Sequence, residues 1–249
     1  MKTLDLGLLA FGFSVLLVAA QAQEVHGPPD APLVAEVLGT KIHTRDPDEM
    51  QAVIIGKLVD RYAAEQGIAV EPAEIDAYLD SLHRVAEQDR RRQEARREEL
   101  ARKLEAKTLS DAERQSLSSE LDSLNEFLNN IGEVRNGAKE DSAEDKAARR
   151  QVAAAFIRQW KINQALYRQY GGRIIYQQGG PEPLDAYRTF LQARERQGAF
   201  KILNPAFEAA FWKYFLTDSM HSFYPKGSRE EAQAFETPWW LLSRPERTQ

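Results

Sequence analysis

"YGGRIIYQQGG", residues 170–180, sets a short β-branched and aromatic run, Arg173 to Gln178, between two glycine pairs. Glycines beside a strand serve a phosphate loop, a hinge, or turns between framework elements, and the choice decides what kind of fold surrounds them. A phosphate loop wants a lysine and a serine or threonine directly behind its glycines, at the start of a helix. None follows here, so the glycines are expected to be framework: Gly171-Gly172 ends a helix, and Gly179-Gly180-Pro181 releases the chain from a strand. In that strand Ile174 and Tyr176 are expected on one face and Ile175 on the other.

Upstream of the first pair, Val152, Phe156, Ile157, Trp160, Ile162, Leu166 and Tyr167 cover an arc wide enough for a largely buried helix. Downstream of the second pair, a helix is expected near Pro183 to Gln197. Asn204-Pro205 opens another carrying Phe207, Phe211, Trp212, Tyr214 and Phe215, and Ser228 with Glu231 forms a capping box for a short terminal helix. The run Val34–His43 contains Gly39-Thr40 and predicts strand, tight turn, strand. Asp46 is then an N-cap and Pro47 a first helical residue, and Met50, Val53, Ile54, Leu58 and Tyr62 step helically until Gly67. The fold class expected is mainly α with a minimal β-sheet, in which Val34–Ile42 pairs with Arg173–Gln178 and so joins the early and late parts of the chain.

Between these parts the composition changes. From Pro72 a long helix begins with Ile75, Leu79, Leu82 and Val85, but beyond Glu87 only Leu100 and Leu104 remain as large apolar positions. Glu87/Arg91, Glu98/Arg102 and Glu99/Lys103 stand in the favourable i,i+4 order, each contributing roughly 0.2–0.5 kcal/mol. Ser110 with Glu113 is a second capping box, and Leu117, Leu121, Leu124, Leu128 and Ile131 step by four and three, a coiled-coil seam. Residues 86–131 are therefore expected to form an antiparallel coiled-coil hairpin arm, with 132–145 as a polar return loop.

Lys2, the apolar run Leu6–Ala20 and Ala20-Gln21-Ala22 have the form of a signal peptide over residues 1–22, which implies a periplasmic chain, cleaved or held by an inner-membrane anchor. Residues 23–33, with Pro28, Pro29 and Pro32, suggest an extended linker. The chain has no cysteine, which excludes disulfides and a lipid-modified cysteine, and its formal charge of −5 provides no field for nucleic acid. His26, His43, His83 and His221 lack metal-ligand spacing. Asp46, Asp48 and Glu49 are better explained as N-cap and first-turn acids than as a calcium site. Neither metal nor cofactor is expected. The run Asp89–Arg97 is interleaved with Glu94 and followed by Glu98 and Glu99, as a solvated helix face would be, and could make peripheral contact with anionic lipid.

The order "VAEVLGTKIHTRDPDE" (34–49), "EQGIAVEPAEIDAYL" (65–79) and "FIRQWKINQALYRQYGGRIIY" (156–176) resembles the N-terminal domain of SurA-like periplasmic foldases, and more distantly the helical chaperone region of trigger factor. The resemblance covers about residues 34–85 and 150–190 and implies a helical cradle for unfolded clients, ordinarily joined to a parvulin prolyl isomerase domain. Residues 181–249 are helical and aromatic in pattern and do not resemble parvulin.

The organisation expected is thus a SurA N-terminal-like helical domain over 34–190, carrying the arm, and an aromatic helical extension over 191–249. The expected function is ATP-independent, reversible binding of unfolded or nascent exported polypeptides in a cradle between body and arm. Leu79, Leu82, Phe127, Leu128, Phe211 and Phe215 are the candidate client-binding residues, with no catalytic residue among them. The alternatives are a structural adaptor that docks a specific partner, or a second copy of itself, through its arm, and a peptidyl-prolyl isomerase. The aromatic helix 207–215 is either a packing helix or an exposed client surface, and Trp239-Trp240 either a lid on the core or a platform.

Overall fold

A computed structural model describes residues 30–137, 142–177 and 179–241. The expected signal peptide and residues 23–29 of the expected linker lie outside the described residues. The protein is mainly helical with a small antiparallel sheet. Its elements are β1 (Leu33–Val37), β2 (Thr40–His43), α1 (Pro47–Glu65), α2 (Pro72–Leu104), α3 (Asp111–Gly137), α4 (Ala143–Tyr170), β3 (Ile175–Gln177), β4 (Gly180–Glu182), α5 (Leu184–Arg196), β5 (Phe200–Ile202), α6 (Pro205–Leu216) and α7 (Arg229–Gln233). No described helix is long and apolar enough to cross a membrane. Two compact units emerge. One holds the described residues up to Glu71 together with those from Ala154 onward, and the other is Pro72–Ala153.

The first unit is closed by a three-stranded sheet in the order β2-β1-β5. Ala35, Glu36 and Val37 face Ile202, Lys201 and Phe200, and the ladder continues through Leu38 N–H to Ala199 O and Leu203 N–H to Val34 O, both 2.8 Å. The register with β2 shifts between Leu33 and Ala35, so Val34 and Ala35 are both buried. A bulge turns consecutive side chains the same way, which strict alternation forbids. The β1–β2 turn sits at Leu38-Gly39 (φ 48° and 79°), one residue earlier than the sequence suggests. Two successive positive φ values define the type I′ turn that matches strand twist.

The long-range partner of β1 is β5, not residues 173–178 as expected. The described residues 173–177 do not pair with 34–42; β3 pairs with β4, Ile175 opposite Glu182 and Gln177 opposite Gly180. The chain doubles back locally, and the long-range closure falls to Phe200-Lys-Ile202. Alternation in residues 174–176 fails as well. Ile174 and Ile175 are both buried while Tyr176 is 51% exposed and stacks on Tyr224. Ile174 precedes the strand, so its side chain does not follow the period of two. Phe223 bridges to Ile175 on the edge away from β4.

The helix caps follow the sequence. Asp46 accepts from Asp48 N–H at 2.8 Å, Asn204 from Ala206 N–H at 2.9 Å, and Ser228 from Glu231 N–H at 3.1 Å. Gly67 (φ 64°) ends α1, with Ile68 N–H bonded to Ala63 O at 2.9 Å. Met50, Ile54, Leu58 and Tyr62 line the inner face of α1. They share one core with Val37, Ile162, Leu166, Phe190, Phe211 and Phe215. Buried Gln51 donates from Nε2 to Phe211 O at 2.9 Å, tying α1 to α6 with a satisfied polar group. The described residues 191–241 are therefore not an extension beside a 34–190 domain: α5, β5 and α6 complete the core that β1 and α1 begin. Nor are residues 30–33 a free linker, since Leu33 starts β1 and Pro32 O accepts from Thr44 N–H at 3.3 Å. Toward the N-terminal end of α4, Val152 and Phe156 stay exposed rather than buried.

In the second unit α2 packs against α3. Arg96 of α2 reaches Glu120 of α3 at 2.8 Å, and Arg114 donates to Leu104 O at 2.8 Å near the turn. Later residues of α3 meet earlier residues of α2, so the pair is antiparallel. The Ser110/Glu113 box forms in both directions, at 2.9 and 3.3 Å. The polar loop expected over 132–145 is shorter: α3 runs to Gly137, and Ser142 with Asp145 makes a capping box that opens α4.

Truncation of a fully enclosed α6 side chain should be severe. Phe211→Ala is expected to cost about 3–5 kcal/mol, read by denaturant unfolding, against about 1 kcal/mol for Asp46→Ala at the α1 cap.

Candidate functional site

The six sequence-nominated residues separate by burial. Phe211 is 0% and Phe215 3% exposed, and their rings pack on each other at 6.2 Å between centroids, with Phe200 5.4 Å from Phe211. They belong to the core of the first unit, so the packing alternative for α6 holds and neither side chain presents a surface to a client. Trp240 is likewise buried, edge-on to Trp160 at 5.7 Å. A helix spacing of three and four cannot distinguish a stripe that is covered from one that is not, and the strand that covers Phe211 is only three residues long.

The other four lie on the helical hairpin. Leu82 is 43% and Phe127 50% exposed, while Leu79 and Leu128 are half-buried. Leu100 is the fully enclosed leucine of α2, whereas Leu117, Leu121 and Leu124 of the α3 seam remain half-buried. Around them the polar surface is internally satisfied. Arg90 binds Glu87 and Glu94, both at 2.7 Å, Arg91 binds Glu87 at 3.2 Å, and Lys103 binds Glu99 at 2.6 Å. The hydrogen bonds from Arg90 and then Arg91 hold the Glu87 carboxyl down at about 2. Two of the three i,i+4 pairs expected from sequence thus form; Glu98/Arg102 is not among the ion pairs. Arg96 also takes Glu99, at 3.1 Å. A basic run spent on its own glutamates has little free charge to offer phosphate.

A second grouping, in the first unit, has no counterpart in the sequence reading. Glu182 of β4 is half-buried and turns its carboxyl toward Tyr214 of α6. The Tyr214 hydroxyl of α6 stands 3.1 and 3.2 Å from its two oxygens and accepts from Gln177 Nε2 at 2.8 Å. Beside it, Gln159 Nε2 donates to Tyr187 Oη and Asn163 Oδ1, both at 2.8 Å. Tyr187 Oη donates to Asn163 Oδ1 at 2.8 Å, and Asn163 Nδ2 donates to Pro181 O at 3.1 Å. Desolvation pushes the Glu182 carboxyl up to about 7, with the Tyr214 bond opposing it, and burial raises both Tyr214 and Tyr187. Glu182 sits in a three-residue strand preceded by Gly-Pro and followed by Pro, where no sequence motif marks it.

Arg173 forms a third node. It grips Asp185 through Nε at 2.8 Å and through its own N–H at 2.9 Å, and reaches Asp218 at 2.7 Å. Its guanidinium lies 4.3 Å from the Phe223 ring centre. Gly172 (φ 95°) permits this approach, since a Cβ there would stand 2.4 Å from Asp185 Cβ. The node ties β3, α5 and the segment after α6, a framework role. Among the described residues no set of three or more His, Asp or Glu is grouped to hold a metal ion.

Set against known proteins, the chain matches no protein family, no curated protein and no solved structure.

If Phe127 is surface rather than core, its removal should be nearly silent. Phe127→Ser is expected to change unfolding free energy by about 0.5 kcal/mol or less, measured by urea titration.

Proposed function

We propose that the protein is a periplasmic, SurA-like chaperone that binds unfolded or nascent exported polypeptides without ATP, through its helical hairpin. The observation that carries the reading is the pair Leu82 and Phe127. Both are large apolar side chains left exposed on helices whose charged groups are largely paired with one another. Burying such a side chain against an extended client contributes roughly 1.5–3 kcal/mol before the entropy of ordering the client is subtracted. Contacts of that size give weak, sequence-tolerant, rapidly reversible capture. The half-buried Leu79 and Leu128 add area to the same hairpin. The flanking ion-paired surface is well hydrated, which keeps the exposed apolar groups from drawing the protein itself into aggregates.

The half-buried seam of α3 also favours a second reading. Leu117, Leu121, Leu124 and Leu128 leave area that one further helix could cover, as in an adaptor or a pair of arms from two copies. One saturable partner, or a dimer, would mark that reading; mixed clients would mark the first.

Suppression of aggregation of a denatured outer-membrane protein tests the proposal. The wild-type chain should suppress it at stoichiometric excess, and Leu82→Glu/Phe127→Glu should lose at least half of the effect. No suppression by the wild type would end the chaperone reading, and undiminished suppression by the variant would end the assignment to these residues.

A further inference from the structure

We propose that the outer face of α6 is a self-association surface, on which α6 of a second copy lies alongside in the same direction, Glu208 of each copy paired with Lys213 of the other. The proposal does not depend on the client-binding reading, since α6 belongs to the unit that does not contain the helical hairpin.

The two faces of α6 have different fates. Phe211 and Phe215 are enclosed in the core, and Gln51 Nε2 holds the Phe211 carbonyl. On the outside, Pro205, Glu208, Ala209, Trp212, Lys213 and Leu216 line a shallow groove, and all six belong to α6. Leu216 is 57% exposed, and Pro205 and Ala209 are exposed beside it. Trp212 rests on Phe211 and Phe215, with ring centres 5.1 and 6.3 Å away, yet remains only half-buried. A helix apolar on both faces is ordinarily covered on both. Within one chain the second face of α6 is open.

The spacing says what covers it. Pro205, Ala209, Trp212 and Leu216 step by four, three and four, the seam of a heptad. Successive helical residues turn by about 100°, so Glu208 stands about 70° to one side of that seam and Lys213 about 70° to the other. When two helices lie side by side and parallel, a residue on one flank meets the partner's opposite flank five positions on, which is the separation of Glu208 and Lys213. A two-fold axis repeats the contact, so the acid and the base of each copy are both satisfied. An antiparallel arrangement would set Glu208 against Glu208 and Lys213 against Lys213. The face is therefore complementary to itself in one orientation and repulsive in the other.

Both charges are available for such a contact. Among the described residues neither Glu208 nor Lys213 is ion-paired within its own chain. The neighbour of Glu208 is another acid, Glu195 of α5, whose carboxyl is raised by desolvation first and by Glu208 second. A partner's ammonium arriving on that flank relieves the crowding. Along the seam the small Ala209 makes room beside the bulky Trp212 of both copies, the alternation of sizes that lets facing layers interdigitate.

The helix has 12 residues and is about 18 Å long, so the contact is small, and a Kd on the order of 10 μM is expected. Sedimentation equilibrium of the full chain tests this. Lys213→Glu should weaken the wild-type dimer at least about tenfold, and Glu208→Lys/Lys213→Glu should restore it to within about threefold. Both positions are exposed, so the variants should fold, which circular dichroism checks. An equimolar mixture of Glu208→Lys and Lys213→Glu should form a mixed dimer that neither forms alone, because every contact across it is again of opposite charge. The chain has no cysteine, so Leu216→Cys reports orientation cleanly. Parallel helices bring the two thiols together and mild oxidation should link them, whereas antiparallel helices hold them roughly 16 Å apart. A wild type still monomeric at roughly 0.5 mM, a dimer that Lys213→Glu leaves intact, or failure of Leu216→Cys to link would overturn the proposal.

Discussion

Pairing of Leu33–Val37 with Phe200–Ile202 is the constraint on which the first unit rests. It joins segments more than 160 residues apart, so its loop-closure entropy must be met by what the pairing encloses. What it encloses is large: Phe200, Phe211, Met50, Ile54, Tyr62, Ile162 and Leu166 share one core. The Gln51 bond to Phe211 O sets α6 against α1 once the sheet is closed. The buried face of α6, aromatic enough to suggest a binding surface, is thereby committed to holding the chain together.

The exposed apolar side chains lie instead on the hairpin, where the proposed function is placed. There α2 and α3 enclose Leu100 fully but leave Leu82 and Phe127 exposed, among glutamates and arginines that satisfy one another. The two units differ in how they use apolar surface. One spends its apolar surface on a core; the other keeps apolar side chains in water and offsets them with ion pairs. Exposed pairs of this kind are individually worth at most about 1 kcal/mol, so their contribution is more to hydration and helix persistence than to overall stability.

Much of the helical skeleton was legible in the sequence because helix ends are written locally. Asp46-Pro47, Ser110 with Glu113, Asn204-Pro205 and Ser228 with Glu231 each place a cap within four residues of what it caps, and all four form. The first glycine pair of residues 170–180 was legible for the same reason: Gly171 ends α4 through Gly171 N–H to Tyr167 O at 2.8 Å, whereas Gly180 of the second pair opens β4. Strand partners were not legible. Phe200-Lys-Ile202 is too short to show a period, and Arg173–Gln178 looked like the better mate for β1 because nothing local reveals that Gly180-Pro-Glu182 will pair with it. Burial of Phe211 and exposure of Phe127 depend on those partners, so the candidate site was only partly legible. The grouping around the Glu182 carboxyl was not legible at all. Its neighbours Gln177, Tyr187 and Tyr214 come from three different elements.

Under the proposed function, extended clients meet the hairpin and not the aromatic helix α6. Site-specific photo-crosslinking measures this directly, with a photoreactive phenylalanine analogue placed in turn at Leu82, Phe127, Phe211 and Phe215 and an unfolded outer-membrane protein as client. Cross-links from positions 82 and 127, and none from folded protein carrying the label at 211 or 215, are the predicted result. Cross-links confined to 211 or 215, or absent from all four positions in a protein that still suppresses aggregation, would contradict the account.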